Sequence, residues 1–398
     1  MGFLPRCSML QEVSIEGGYF LSVQRLLKAH NFLFFGMLAL FIPFLPVFLD
    51  GQGLETNEVG LIIGAGGFVT IIAQPLWGMI SDRRKTLRKV LLLLIFMAAI
   101  SGFLLFHMNS FVGLIIAAMV VYFFLMPIDP LTESLSFTMT ETIGTNYGSV
   151  RTYGALGYAV LSLVVGYVMK WFGMSSVSIL FVVIGIISFA VMWKMPDVPT
   201  SSAPVTIDGL KKVLKNREMQ LFLLLVFLSS IPARMNDTFL GIHIRSLGGD
   251  PSLVGIAFFI SAASEIVIFA LSVWWLRQGK ELLIMTIAIF FYALRFFLSG
   301  IVESALLLAI IQLFQALTFP IYYTAAIQNL YRIVPREWRA TGQTVLALLF
   351  FGLSGIVSSS VGGFIYHEWG GHLFYYLLGS ISFLAGLFGV YLLIRKRK

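Results

Sequence analysis

Two carboxylates stand in a segment that is otherwise apolar enough to lie in lipid. The stretch VVYFFLMPIDPLTESLSF, residues 120–137, carries Asp129 and Glu133, which are four residues apart. Residues i and i+4 share one face of a helix. A charged side chain at bilayer depth costs about 2.5 to 3.5 kcal/mol, and such residues usually face a cavity and pair with one another. The stretch therefore predicts a polar site within a membrane that also contains a cationic partner.

The spacing of the chain suggests which cations these are. Arg151 follows in YGSVRTYGALGYAV, residues 147–160, and the midpoint of 133 and 151 is 142, in the predicted connecting loop. Antiparallel helices of equal rise would bring Glu133 and Arg151 to the same depth. The same arithmetic pairs Glu265 with Arg295, whose midpoint, 280, falls in a short connection. Each pair can be a structural bridge between helices or part of a functional site.

The composition indicates an all-α polytopic membrane protein. Of 398 residues, 58% are hydrophobic and 12% are charged, and the mean hydropathy of +0.92 lies outside the range of soluble domains. Apolar runs of roughly the 20 residues needed to cross a bilayer recur throughout. We place twelve spans, numbered in chain order, at 26–49, 59–80, 90–107, 112–137, 150–171, 177–192, 219–240, 252–276, 282–300, 304–331, 341–366 and 373–394.

The basic residues give the orientation. A net charge of +8 could indicate nucleic-acid binding, but the bases fall in alternate loops, which topogenesis explains better. Nearly all the bases fall in loops on one side of the membrane, and the loops on the other side contain only Lys170 and Arg245. By the positive-inside rule we expect a plasma-membrane protein with both termini in the cytoplasm and no nucleic-acid partner. The basic side comprises Arg83, Arg84, Lys85, Arg88, Lys89, Lys194, Lys211, Lys212, Lys215, Arg217, Arg277, Lys280, Arg332, Arg336, Arg339 and the tail 395–398.

Five segments follow from this pattern. They are a cytoplasmic tail (1–25), a six-helix bundle (26–194), a cytoplasmic linker (195–217), a second six-helix bundle (218–394) and a basic tail (395–398). The end of the linker, 207–214, could be a short amphipathic helix or plain solvated chain. Six plus six spans around a central loop suggest a duplicated transporter whose substrate site lies between the halves.

The loop after span 2 sharpens this interpretation. GMISDRRKTLRK, residues 78–89, resembles the major facilitator superfamily signature G-x-x-x-D-(R/K)-x-G-(R/K)-(R/K), with Lys85 at the second Gly and one residue inserted. Gly78 would permit close helix approach, and Asp82 would accept hydrogen bonds from a neighbouring helix N-terminus. Arg83 and Arg88 would hold the cytoplasmic face. The alternative is an ordinary positive-inside loop.

A narrower resemblance concerns the charged pairs. The segment 129–158 resembles the lactose permease and its oligosaccharide:proton symporter relatives, in which a Glu on helix four and an Arg on helix five hold the sugar. Glu133 and Arg151 match these residues. Tyr158 stands where that family has a sugar-stacking Trp. Glu265 and Arg295 resemble its proton-coupling Glu and Arg. Asp129 lies on the same helix face as Glu133 and is therefore expected to belong to the same polar binding cavity.

Span 10 departs from that family. Gln315 and Thr318 precede Pro320 where the lactose permease carries a His and a proton-binding Glu. Neither side chain can take a proton near neutral pH, so a transported proton would reside on Glu265, Glu133 or Asp129. Gln315 is then expected to line the substrate pathway. The whole chain resembles more the bacterial phenylpropionate-permease and nucleoside-symporter branches.

These residues predict a secondary transporter of the major facilitator fold. We expect a functional monomer, embedded in the lipid bilayer, that imports a small polar solute with a proton and needs neither cofactor nor metal. The solute would be a sugar, a nucleoside or an aromatic acid. An exporter or an uncoupled facilitator of the same fold is the first alternative. A membrane-embedded enzyme or a sensor is the second alternative. The lack of a convincing nucleophile, metal or nucleotide motif argues against an enzyme, and the lack of an appended soluble domain argues against a sensor.

Two further groups of polar residues leave a choice open. His30 and Asn31, near the start of span 1, could face the cavity or extend to the membrane interface. Arg234 and Asp237 on span 7 could line the cavity or be solvated near the outer surface.

Overall fold

The protein is helical throughout its described part. The computed structural model describes residues 7–198, 215–276, 279–335 and 338–397, in which no strand occurs. In the first half the helices are Cys7–Phe41, Phe44–Gly51, Thr56–Arg84, Arg88–Leu105, Phe111–Leu125, Ile128–Ile143, Tyr147–Phe172 and Ser176–Trp193. In the second half they are Arg217–Ser246, Pro251–Ala270, Ser272–Trp275, Glu281–Ile301, Ala305–Ile311, Phe319–Ile333, Arg339–Ala347 and Ser354–Arg397, with a 3₁₀ segment at Gln312–Leu317 and a π-helical segment at Leu348–Leu353.

These helices form twelve membrane spans. Eleven helical stretches of the described chain are long and apolar enough to cross a bilayer. The last of them, Thr341–Arg395, has 55 residues, which is roughly 80 Å of helix and more than twice the thickness of a bilayer core of about 30 Å. Gly370, with φ 72° and ψ 171°, interrupts it. It therefore contains spans 11 and 12, and the described residues form two six-helix bundles, as the sequence predicts.

Several predicted boundaries differ from the structure. The first helix begins at Cys7, so most of the segment 1–25 is helical and continuous with span 1. The middle of the linker, including the possible amphipathic helix at 207–214, lies outside the described residues.

Local sequence explains where two of the helices start. Asn146 and Asn216 accept backbone N–H bonds at the starts of spans 5 and 7.

The two bundles meet along a seam formed by spans 5 and 8 and by spans 2 and 11. A Cβ on Gly166 would lie 2.7 Å from the Pro251 carbonyl oxygen, and a Cβ on Gly60 would lie 2.2 Å from that of Ser359. Only glycine allows backbones to approach this closely. Both contacts lie in the half of the membrane remote from the chain termini. We call the side of the termini the terminal face and the opposite side the far face.

Three ionic contacts join the bundles at the far face. Arg245 Nε lies 3.5 Å from Asp50 Oδ2, and Lys170 Nζ lies 2.8 Å from Asp250 Oδ2. The third, between His367 and Glu55 at 3.8 Å, is ionic only when the histidine is protonated. All three join the first bundle to the second. The far face is therefore closed.

Asp250 caps span 8 and takes part in one of these contacts. Partial burial tends to raise its pKa, but hydrogen bonds from Lys170, Ser252 and the Leu253 N–H outweigh that effect and lower the pKa of Asp250 to about 2. Asp250 is therefore ionised at every physiological pH.

The terminal face is organised differently. At this face Arg332 Nη1 lies 3.5 Å from Glu281 Oε2, an ion pair within the second bundle. A Cβ on Gly78 would meet no atom within 4 Å. The expected close helix approach at Gly78 is therefore absent, whereas Gly60 of the same span lies against span 11 at the far face. We therefore interpret the structure as open towards the terminal face.

The signature loop contains a second difference. The acceptor at the N-terminus of span 3 is Asp197, which takes bonds from Thr86 Oγ1 at 2.5 Å and from the Arg88 N–H at 3.1 Å. Asp82, predicted for that role, is exposed, as is Arg83. Arg88 does contribute, since its guanidinium donates to the Trp193 carbonyl oxygen at 2.5 Å.

Candidate functional site

A break in span 4 positions its carboxylates. The helix Phe111–Leu125 ends before Pro127, and a new helix, Ile128–Ile143, carries Asp129 and Glu133. Pro130 has no N–H, so the Met126 carbonyl lacks its ordinary i+4 donor. The Asp129 N–H donates to this carbonyl at 3.4 Å, and Gln74 Nε2 on span 2 donates to it at 3.3 Å.

The ion pair that the spacing predicts between spans 4 and 5 is present. Arg151 Nε lies 2.7 Å from Glu133 Oε1, with the two side chains 40% and 31% exposed. Tyr147 donates a hydrogen bond to Glu133 Oε2. The Arg151 guanidinium lies over the Phe35 ring of span 1, 4.1 Å from its centroid. Because both side chains are partly exposed, both charges are accessible from outside the protein.

Asp129 lies one helical turn from Glu133. Its carboxylate has neither a hydrogen-bond donor nor an ion-pair partner among the described residues. The charge of Arg151 acts on it, but Arg151 is already paired with Glu133.

The second half contains a bridged pair. Arg295 is 2% exposed and donates to the side-chain oxygens of both Gln312 and Gln315. Gln315 Nε2 in turn donates to Glu265 Oε1 at 2.5 Å. Thus the direct pair expected between Glu265 and Arg295 is wrong. Gln315, on the neighbouring span 10, lies between them.

A distortion of span 10 places Gln315 there. The 3₁₀ segment Gln312–Leu317 ends at Thr318, whose φ of −109° and ψ of −94° are not helical. Pro320 follows in the first turn of the next helix. Discontinuous helices at the middle of a bundle expose polar backbone and side chains, which is typical of transporter binding sites. The polar run before Pro320 was the sequence signal for this site.

A second ion pair lies on span 7. Arg234 Nη2 is 2.7 Å from Asp237 Oδ2, and their side chains are 21% and 31% exposed. The Arg234 guanidinium also lies over the rings of Phe350 and Phe351, at 5.1 and 5.2 Å. Both rings belong to the π-helical segment of span 11, a distortion frequent at functional sites. Packing against span 11 therefore decides for the cavity wall, not the outer surface.

Tyr158 lies between the two halves. It is on span 5 of the first bundle, and its hydroxyl is within electrostatic range of Asp237, Glu265 and Arg234 of the second bundle. The position predicted for stacking on substrate thus lies beside the second group of charges.

The polar residues of span 1 are not at the membrane interface. His30 and Asn31 are fully buried. The His30 ring is 2.9 Å from Thr132 Oγ1, and Asn31 Nδ2 donates to Ser136 Oγ at 2.9 Å. These bonds fix span 4 against span 1, so both residues support the site from behind.

Sequence reasoning missed several contributors. Tyr147 and Phe35 hold the first pair, and Phe350 and Phe351 hold Arg234. Aromatic residues recur throughout this chain, so nothing distinguishes these ones before folding.

Comparisons with known proteins agree with this architecture. Residues 25–378 match the family model described as "MFS_1 like family". Over 361 residues the chain is 28% identical to the uncharacterized transporter YwbF of Bacillus subtilis (strain 168), covering 89% of each chain. Over 369 residues it is 26% identical to the maltose permease of Geobacillus stearothermophilus, covering 92% of this chain and 93% of the permease. The crystal structure of the nucleoside transporter NupG superposes with a TM-score of 0.83 at 16% identity, covering 93% of this chain and 98% of that one.

Proposed function

Since the chain belongs to the MFS_1 like family and is a multi-pass membrane transporter of solutes, we propose that it imports a neutral, hydroxyl-rich solute together with a proton. The solute is of the sugar or nucleoside class. The basic terminal face is the cytoplasmic side. The structure then represents the state that is open to the cytoplasm.

The observation that carries this proposal is the accessible pair of Glu133 and Arg151. A carboxylate accepts hydrogen bonds from hydroxyl groups, and a guanidinium donates two in a fixed planar geometry. Adjacent hydroxyls of a sugar or ribose ring match this arrangement. The rings of Phe35 and Tyr158 offer apolar faces for the carbon side of such a ring.

The charges of the site favour a neutral solute over an aromatic acid. In the first half Asp129 and Glu133 share one guanidinium, that of Arg151. In the second half Arg295 is enclosed by Gln312 and Gln315 and is out of reach of solute. A carboxylate solute would therefore enter a site with excess negative charge.

Transport follows from exchange of partners. In the solute-free state Glu133 and Arg151 satisfy one another, and a bound solute takes over part of their bonding. Closure at the terminal face and opening of the far face then require the three far-face ionic contacts to separate. The chain of Arg295, Gln315 and Glu265 connects spans 9, 10 and 8, and acts as the coupling element of the second half.

Uptake by proteoliposomes tests the proposal. The probes are radiolabelled maltose, uridine and phenylpropionate, each with and without an inward pH gradient. We expect accumulation of maltose or uridine and substrate-dependent alkalinisation outside. An exporter or an uncoupled facilitator would give no gradient-driven accumulation.

Site variants test the residues. Glu133→Gln and Arg151→Ala should reduce uptake at least tenfold, since about 1.4 kcal/mol of lost binding is already a factor of ten. Glu141→Gln is the matched control, because Glu141 lies on the same helix but is exposed at its terminal end. Near-normal uptake by either site variant, with normal membrane insertion, contradicts the assignment.

A further inference from the structure

The two groups of charged residues described above contain seven charged side chains. Their carboxylates outnumber their guanidinium groups by four to three. The carboxylates are those of Asp129, Glu133, Asp237 and Glu265, and the guanidinium groups are those of Arg151, Arg234 and Arg295. These seven side chains together carry one net negative charge when all of them are ionised.

Three of the four carboxylates have a cationic counterpart. Glu133 pairs with Arg151, and Asp237 pairs with Arg234. Glu265 reaches Arg295 through the amide of Gln315. Within the described part of the chain, Asp129 alone among the four makes neither an ion pair nor a side-chain hydrogen bond. The unbalanced charge thus belongs to Asp129.

The surroundings of Asp129 offer no further cation within the described residues. Arg151 acts on it from span 5, Glu133 lies one turn away on its own helix, and the charge of Asp129 acts on Tyr323 of span 10. The ammonium group of Lys28 lies over the Tyr153 ring, 5.1 Å from its centroid. Glu133 adds negative charge beside Asp129, which makes a second ionised carboxylate more costly there.

We propose that Asp129 binds the transported proton, one for each solute molecule. This rests on the proposed function of proton-coupled import. A proton from water on the far side adds to a carboxylate oxygen of Asp129, and no other bond forms or breaks. The cavity is then neutral and can close around the solute without leaving an unpaired charge at membrane depth. On opening to the terminal face, water enters, the Asp129 O–H bond releases its proton, and the solute leaves.

The same charge count fixes the stoichiometry. One proton neutralises the cavity, and a second would have to break an existing pair. With a pH gradient of one unit and no membrane potential, each proton that crosses supplies about 1.36 kcal/mol of free energy. A carrier that moves one proton per solute molecule can therefore accumulate its solute about tenfold.

The test compares Asp129→Asn with the wild type and with the control variant Glu141→Gln, which should accumulate solute like the wild type, in proteoliposomes with radiolabelled maltose and uridine as probes. Asp129→Asn keeps the shape of the side chain and removes the titratable oxygen. We expect exchange of labelled for unlabelled solute to persist in Asp129→Asn, while gradient-driven accumulation falls from about tenfold to none. Full accumulation by Asp129→Asn would overturn the assignment. Absence of accumulation in the wild type would instead overturn the proposed proton coupling.

A second measurement does not depend on solute. The carbonyl stretch of a protonated carboxyl group, followed by infrared spectroscopy of the purified protein during a pH titration, should be lost in Asp129→Asn and retained in Glu265→Gln. The reverse result would place the proton on Glu265 and refute the proposal. This measurement also decides the case in which Asp129→Asn no longer exchanges solute.

Discussion

A methyl group at Gly60 should push the two bundles apart at the far face. In Gly60→Ala the new Cβ would lie 2.2 Å from the Ser359 carbonyl oxygen and 3.1 Å from the Gly363 Cα. Both are backbone atoms, which cannot rotate away. An ordinary contact begins near 3.4 Å, so spans 2 and 11 must separate by about 1.2 Å, the difference between 3.4 and 2.2 Å.

The magnitude follows from the cost of overpacking. Extra methylenes in a well-packed interior typically cost about 1 to 3 kcal/mol. Only the state with a closed far face bears this cost, because the contact is absent once the bundles have separated there. The equilibrium should therefore shift towards the state open at the far face by about 5- to 150-fold.

Spin labels at positions 55 and 367 would measure the shift. Glu55 and His367 lie on opposite bundles and are 3.8 Å apart at their charged atoms. Cys7 is the only cysteine of the chain, so Cys7→Ser provides a clean background for the labels. We expect a longer-distance population in Gly60→Ala. Gly355→Ala is the control, because a Cβ there meets no atom within 4 Å. An unchanged distance distribution in Gly60→Ala would show that this glycine contact does not hold the far face closed.

Two further predictions concern single polar contacts. The pKa of Asp250 is lowered from 3.8 to about 2, so the contribution of Asp250 to far-face closure is complete above its ordinary pKa and is lost only as the pH falls towards 2. The effect of Asp250→Asn on the same label distances should therefore be equal at about pH 5 and pH 8. A marked difference between the two pH values would contradict this. Tyr147→Phe removes the hydroxyl that donates a hydrogen bond to Glu133. Loss of this hydrogen bond, about 1 kcal/mol, should weaken solute binding about fivefold at unchanged expression. Equal affinities of variant and wild type in a binding titration would show that Tyr147 does not orient this carboxylate.

Much of this molecule is predictable because membrane crossing imposes simple rules on sequence. The apolar runs and the alternating bases indicate twelve spans, since this arrangement keeps most of the bases on one side of a bilayer. The pairing of Glu133 with Arg151 is predictable for a related reason. Spans 4 and 5 are consecutive and joined by a short turn, so the helical rise fixes which residues share a depth.

The same arithmetic fails where a third span takes part. Glu265 and Arg295 also lie on consecutive spans, but Gln315 of span 10 lies between them. Spacing along two helices contains no information about a neighbour further along the chain. The unwinding of Gln312–Leu317 was equally hidden, because Pro320 marks a distortion without specifying its hydrogen-bond pattern.

The bond from Gln74 to the Met126 carbonyl has a mechanical consequence. Both residues belong to the first bundle: span 2 lies on the seam, and Met126 stands at the break in span 4, just before Asp129. The amide of Gln74 therefore ties this break to a helix that contacts the second bundle. Replacing Gln74 by alanine would remove the tie and leave the Met126 carbonyl with the Asp129 N–H as its remaining donor among those described above.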